Sequence, residues 1–277
     1  MGALGLKIML NYPEINPIAL QIGPLAVRWY GLMYLIGISL GWALLHWRSR
    51  DPVYGFSKEA VSDLVFYAAL GVVIGGRVGY IVFYDTAVIW QAPLTILKVW
   101  QGGMSFHGGL LGVIVACFLF CKRYHKPFMA VMDFIVPVVP IGLGFGRLGN
   151  FINEELWGRV TDVPWGMIFP TGGPFVRHPS QLYEFFLEGV VLFGVLWGYS
   201  SRKPPRMAVS ALFLMGYGLA RIFCEFFRMP DVQLGFIAFD WLTMGQLLSI
   251  PMVILGIILW VSAHRADKGL SSRSPVR

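Results

Sequence analysis

Three arginines stand where a charged side chain is costly. Arg77 in GGRVGY, Arg147 in GFGRLGN and Arg221 in GYGLARIFCEFF are each embedded in apolar, glycine-rich sequence. An arginine at the centre of a membrane costs about 2.5–3.5 kcal/mol on insertion scales, so each needs a compensating partner. The guanidinium fork donates two parallel hydrogen bonds and suits phosphate. Glu225 follows Arg221 by four residues and Arg228 follows by three more, a spacing that puts all three on one face of a helix. Two readings stay open: an internal ion pair that orients helices, or Glu225 fixing Arg221 against an anionic ligand.

The densest polar stretch is GRLGNFINEELWGR, residues 146–159, with two Arg, two Asn, two Glu and three Gly. A cap closing a helix end would need less, since a turn is satisfied by one Asn and one Gly. Asn and Gly bring donors and tight backbone and Arg brings charge, which suits a polar lipid headgroup better than a metal. Arg147, Asn150, Asn153, Glu155 and Gly158 are therefore candidates to contact substrate. Glu154 and Glu155 are adjacent, so regular structure makes them diverge and disfavours paired-carboxylate catalysis.

His107 lies in GGMSFHGG, with glycines on both sides. Its imidazole suits a general base at neutral pH; the plainer reading is a hydrogen-bonded structural histidine. His178 in RHPSQLYE precedes a helix that Pro179 would open, as an interfacial residue or as a substrate contact. Arg228 is a further cationic candidate. Tyr30 in RWYGLMY reads first as an interfacial anchor. Glu184 and Glu188, four apart, open an apolar segment; Glu184 is expected to reach water and Glu188 to need a partner. Gly71, Gly75 and Gly79 read as close helix packing. HExxH is absent, the five His are scattered, and Cys117, Cys121 and Cys224 form no CxxC pair. No metal site, cofactor or disulfide framework is expected.

These residues need a membrane scaffold to hold them. Of the 277 residues, 56% are hydrophobic and 13% charged, and the mean hydropathy is +0.65. Soluble domains carry about 25% charged residues, so an ordinary soluble domain and a disordered chain are both excluded. Seven apolar segments are predicted, roughly 22–45, 60–84, 108–121, 130–149, 182–199, 209–227 and 244–263. The third is short for a span, and either extends into Phe106 or is partly re-entrant. Thirteen of the 22 basic residues fall in alternate loops and the tail. The positive-inside rule then places the N-terminus outside and the C-terminus in the cytoplasm. The net charge of +7 accordingly reports cytoplasmic loops and anionic lipid rather than nucleic acid.

The expected architecture is an all-α polytopic membrane protein: seven transmembrane helices in a single integral membrane domain over 1–277. Structured outer-face loops are expected at 84–107 and 150–181, and a flexible cytoplasmic tail at 269–277. Trp90, Trp100, Trp157, Trp165 and Trp241 fall on the outer side, as an interfacial belt would place them. MGALGLKIML lacks a basic start and a long apolar core, so no removable signal peptide is expected.

Together these motifs resemble the prolipoprotein diacylglyceryl transferase family. The resemblance runs from YPEINPIALQIGPLAVRWYGLMY to MGQLLSIPM. GRLGNFINEELWGR is its most specific block, and GGMSFHGG, RHPSQLYE and RIFCEFFR follow the family's order. The resemblance implies a seven-spanning protein of the bacterial inner membrane with a periplasmic active face. Its implied activity moves the diacylglyceryl group of phosphatidylglycerol to the lipobox cysteine of a prolipoprotein signal peptide, forming a thioether and releasing glycerol-1-phosphate. It further implies that Arg147 and Arg221 meet the lipid phosphate and that Tyr30, Asn150 and Gly158 are essential. Glu155 and Glu225 are expected to orient the arginines. Rival readings are a transporter for an anionic solute, which inverted repeats would favour, and an intramembrane protease. The second is disfavoured because GxSxG is absent and Asp63 and Asp133 are expected to cap helices.

Overall fold

The structure is a computed structural model that describes residues 10–99, 102–230 and 235–271. Trp100 and tail residues 272–277 lie outside the described residues. Seven helices among the described residues are long and apolar enough to cross a membrane, which makes this a multi-pass membrane protein. They are α1 (Trp29–Arg48), α2 (Lys58–Tyr84), α4 (Phe106–Tyr124), the run Phe128–Ile152, the run Ser180–Ser200, α9 (Ala208–Glu225) and α10 (Met244–Ser271). The tail expected from Gly269 thus begins inside the last described turn of α10. Their flanks carry large exposed apolar side chains, such as Leu35, Ile74, Leu119, Val195 and Ile258. Such a continuous apolar surface calls for lipid.

Two of these runs are not uniform helices. Phe128–Ile152 is α5 (Phe128–Ile135), a 3-10 turn at Val136–Val138 and α6 (Val139–Ile152). Pro137 and Pro140 lie at this junction, where each removes a backbone donor. Ser180–Ser200 is α7 (Ser180–Glu184), a π-helical stretch at Phe185–Val191 and α8 (Leu192–Ser200).

Several boundaries differ from the sequence reading. The first helix begins at Trp29, because Ile18–Ile22 (β2) and Leu25–Arg28 (β3) form an antiparallel hairpin. Gly23, at φ +58°, opens its two-residue turn. The third span is continuous from Phe106 to Tyr124 and starts on a Ser105 cap, so the re-entrant alternative falls away. Asp63 and Asp133 lie inside helices rather than at their caps. Ser57 caps α2 by accepting from the Ala60 N–H, while the Asp63 carboxylate accepts the Tyr124 hydroxyl.

The chain divides into two compact units, Met1–Gly41 with Ile135–Arg277, and Trp42–Phe134. In the second unit α2 packs on α4 through glycine. A Cβ on Gly75 would lie 2.4 Å from the Gly108 carbonyl oxygen, and one on Gly112 would lie 2.0 Å from that of Gly71. Neither position admits a side chain. This is the stripe expected from Gly71, Gly75 and Gly79. Arg77 is buried and donates to four backbone carbonyls, of Thr95 (2.5 Å), Ile96 (3.0 Å), Gly102 (2.7 Å) and Gly103 (3.1 Å). It therefore ties down the segment between α2 and α4, which also holds the short helix α3 (Val88–Gln91).

In the first unit Leu10–Asn11 (β1) pairs in parallel with Met167–Ile168 (β4), and β4 pairs antiparallel with Val176–Arg177 (β5). Tyr12, Phe151 and Phe169 form a small core beneath this sheet. The Tyr12 hydroxyl donates to the Phe151 and Ile152 carbonyls, both at 3.0 Å, and so satisfies the exposed end of α6. Burial, with the nearby Glu154 carboxylate second, pushes this hydroxyl up to about 12. The interface belt is partial: Trp90, Trp165 and Trp241 are exposed, whereas Trp157 packs on the Tyr12 cluster beneath the Arg177 guanidinium at 4.0 Å.

Candidate active site

The first unit carries a buried ionic cluster, and two glycines set its position. Gly144 of α6 meets Gly189 of the π-helical stretch so closely that a Cβ on Gly189 would lie 2.9 Å from the Gly144 Cα. At that crossing distance Arg147, one turn further along α6, reaches Glu184 and Glu188. A π-helical insertion widens the turn and is common at functional sites; here it begins just after Glu184 and carries Glu188 within it.

Arg147 Nε lies 3.0 Å from Glu184 Oε2, and its Nη2 lies 3.4 Å from Glu188 Oε2. Arg221, from α9, places Nη1 2.7 Å from Glu184 Oε1 and 3.7 Å from Glu188 Oε1. Its Nη2 lies 2.5 Å from Glu225 Oε1, the expected i,i+4 pair. Arg228 Nη1 adds a contact of 3.5 Å to Glu184 Oε1, and its Nε lies 3.8 Å from Glu225 Oε1. Three guanidinium groups thus alternate with three carboxylates. Isolated charges in so apolar a place would carry a desolvation penalty of several kcal/mol each; alternation offsets it.

The cluster corrects two expectations. Glu184 does not reach water: its side chain is 0% exposed and touches all three arginines. It is the central residue of the site, and sequence reasoning missed it because only its position near a helix start was used. Glu155 does not orient an arginine through any contact found among the described residues. Its Oε2 accepts from Asn150 Nδ2 at 3.3 Å and its Oε1 from Asn153 Nδ2 at 3.4 Å. Glu154 turns the other way, accepting the Thr171 backbone N–H at 3.2 Å.

The remaining candidates fall on three sides of the cluster. Asn150 is buried in the last turn of α6, and Asn153 caps that helix. The Tyr30 ring packs against Gly149, where a Cβ would lie 2.9 Å from ring carbon Cδ2. The Tyr30 hydroxyl shares a hydrogen bond with that of Tyr34 at 3.2 Å. Gly158 is pinned between two segments of the chain: its N–H donates to the His178 carbonyl at 2.8 Å, and a Cβ there would lie 2.6 Å from both the His178 and Phe227 carbonyl oxygens. Arg228 lies beyond the end of α9, bridged to Gly158, so it does not continue the helical face of Arg221 and Glu225. Arg159 closes that helix end, donating to the carbonyls of Glu225 (3.0 Å) and Arg228 (2.9 Å).

His178 stands apart from the ionic cluster. Its Nδ1 lies 3.0 Å from the Tyr183 hydroxyl, which also accepts the Trp165 indole N–H at 2.7 Å. Burial, and then the Arg159 charge, hold this imidazole below its usual range, which favours its neutral form. With Leu182, Phe186 and Phe223, these three side chains line an apolar groove of about 460 Å³. His107 belongs to the second unit. It is exposed in the first turn of α4, edge-on to the Phe106 ring.

Chemically, the arrangement can receive an anion, with one side of each of Arg147 and Arg221 taken up by carboxylates. The carboxylates engage Nε and Nη2 of Arg147 and both Nη atoms of Arg221. Each guanidinium carries five N–H donors, so donors remain, and the two side chains keep 17% and 14% exposure. Such a pair presents fixed, desolvated positive charge to an anion that enters from that side.

Comparison with known proteins shows the family. The family model for prolipoprotein diacylglyceryl transferase matches residues 17–262. A Coxiella burnetii (strain RSA 331 / Henzerling II) protein named phosphatidylglycerol–prolipoprotein diacylglyceryl transferase is 59% identical over 259 residues, which is 93% of this chain and 99% of that protein. A Legionella pneumophila (strain Lens) protein of the same name is 60% identical over 252 residues, 91% of this chain and 98% of that one. The chain spans its relatives almost end to end, carries its arginines in a multi-pass membrane scaffold, and belongs to the prolipoprotein diacylglyceryl transferase family, as a transferase of lipoprotein maturation.

Proposed function

We propose that this protein moves the diacylglyceryl group of phosphatidylglycerol onto the thiol of a lipobox cysteine in a prolipoprotein signal peptide. A carbon–sulfur bond forms, the bond from that glyceryl carbon to the phosphate oxygen breaks, and glycerol-1-phosphate leaves with the electron pair. The thiol proton passes to a base. The observation that carries this reading is the buried alternation of Arg147, Arg221 and Arg228 with Glu184, Glu188 and Glu225. A leaving phosphate gains charge as its bond breaks, and preorganised guanidinium donors stabilise that charge most in the transition state.

In this reading Arg147 and Arg221 hold the phosphate of the lipid. Asn150, Asn153 and Glu155 form a polar rim for the headgroup, with Tyr30 beside them. Glu225 and Glu184 fix the arginines, while Gly158, Arg228 and His178 shape the wall. The protein lies in the bacterial inner membrane, its N-terminus and site on the periplasmic side and its C-terminus in the cytoplasm. Membrane lipid is its surroundings as well as its substrate, and no metal, cofactor or nucleic acid takes part.

The test uses purified protein in liposomes with phosphatidylglycerol labelled in its acyl chains and a lipobox peptide. The expected result is mass gain on the peptide, none on its Cys→Ser control, and released glycerol phosphate. No gain with folded, lipid-bound protein overturns the reading and directs attention to anion flux across sealed liposomes.

His107 is our candidate for the base. His107→Gln is expected to lower kcat/KM by about tenfold or more. An unchanged rate would remove His107 from the mechanism.

A further inference from the structure

The last spanning helix opens with a device that the reaction, as described so far, does not use. Thr243 precedes α10 and is buried at 3% exposure, as is Glu225. Its backbone N–H donates to Gln246 Oε1 at 3.0 Å, and its Oγ1 accepts the Gln246 N–H at 3.3 Å. That is a reciprocal capping box, which satisfies two orphan donors at a helix start. The same hydroxyl spends its own hydrogen elsewhere, donating to Glu225 Oε2 at 2.7 Å. Glu225 Oε1 in turn lies 2.5 Å from Arg221 Nη2.

Gly245 completes the device by being small. A Cβ there would lie 2.6 Å from Glu225 Oε1 and 2.7 Å from its Cδ. The carboxylate therefore rests against the first turn of α10, where the positive end of the helix dipole favours an anion. Each carboxylate oxygen of Glu225 has its own holder, Thr243 on one and Arg221 on the other.

We propose that Thr243 and Gly245 are positioning residues for the transfer step. The threonine hydroxyl sets the rotation of the Glu225 carboxylate, and the carboxylate sets the plane of the Arg221 guanidinium. The inference rests on the transferase reading above, in which Arg221 meets the phosphate. An error in the Arg221 plane is felt most where the phosphate charge is growing, so kcat falls while KM moves little. A displacement of about 1 Å can cost about 100-fold.

The experiment measures kcat and KM for peptide modification, and thermal unfolding, in the full-length protein with phosphatidylglycerol liposomes. Thr243→Gly is tolerated at a helix cap but has no hydrogen to give Glu225. It is expected to keep an unfolding temperature close to that of wild type and to lose kcat by at least about tenfold, with KM within about threefold. Thr243→Ser keeps both bonds and is expected to restore at least half of wild-type kcat. Gly245→Ala, which pushes on the carboxylate directly, is expected to match Thr243→Gly. Wild-type kcat in Thr243→Gly, or a loss in Thr243→Ser equal to that in Thr243→Gly, overturns the proposal. Failure of the wild-type protein to modify the peptide is a separate result, and it overturns the transferase reading itself.

Discussion

Glu184→Gln should lose both activity and stability, and by the widest margin of any single substitution in the cluster. Glutamine keeps the volume and one acceptor but removes the charge that three guanidinium groups share. Three buried cations would then face two carboxylates. Breaking a buried ion pair by removing one partner costs about 3–5 kcal/mol, and here the residual positive charge would fall on side chains that are only 8% to 17% exposed. The arginines would also lose the group that spaces them, since Glu184 is the residue that touches all three of them. We expect kcat/KM to fall by more than about 100-fold, together with a clear drop in unfolding temperature in detergent. Activity within threefold of wild type at an unchanged unfolding temperature would show that Glu188 and Glu225 hold the arginines without it.

Arg147→Lys should separate charge from geometry. Arg147 meets Glu184 through Nε and Glu188 through Nη2, two points of a rigid fork. A lysine ammonium is one point and cannot hold both carboxylates while presenting a donor to phosphate. Removal of a single preorganised donor from an anion site costs about 100- to 1,000-fold in kcat, and we expect a loss in that range with the protein still folded. Full activity in Arg147→Lys would exclude two-pronged phosphate recognition as a requirement.

The seven spans were legible in the sequence because bilayer thickness sets helix length, and the apolar runs met that length without regard to tertiary packing. The third span could be misjudged because its ends, at His107 and Lys122–Tyr124, are partly polar and only Ser105 marks its start. The hairpin before α1 was not legible. Ile18–Ile22 and Leu25–Arg28 are as apolar as a helix start, and a Gly-Pro pair between them reads as a break without saying what it joins.

The candidate arginines could be found because an embedded charge stands out against apolar sequence. Their partners could not all be found. Glu225 is local, four residues from Arg221, but Glu184 is 37 residues from it and as far from Arg147, and only the Gly144–Gly189 contact shows that α6 meets this stretch. Thr243 was invisible for the same reason. Its motif reads as an ordinary helix cap, and nothing local says that the spare hydrogen reaches back to Glu225. Arg77 shows the other outcome, since its sequence context matches that of Arg147 while the partners that meet its charge are backbone carbonyls.

The buried cluster has a consequence for how an anion is drawn in. Three guanidinium and three carboxylate groups interleaved within a few ångström have no net monopole, and the field of such an array dies away over about its own width. A headgroup drifting along the membrane surface would feel almost nothing of it. Discrimination must then begin at contact, after the lipid has already arrived by lateral diffusion, and the encounter would owe little to ionic strength. What distance denies, proximity supplies: at van der Waals range the same array is a row of separate charges, and a phosphate can read it one group at a time.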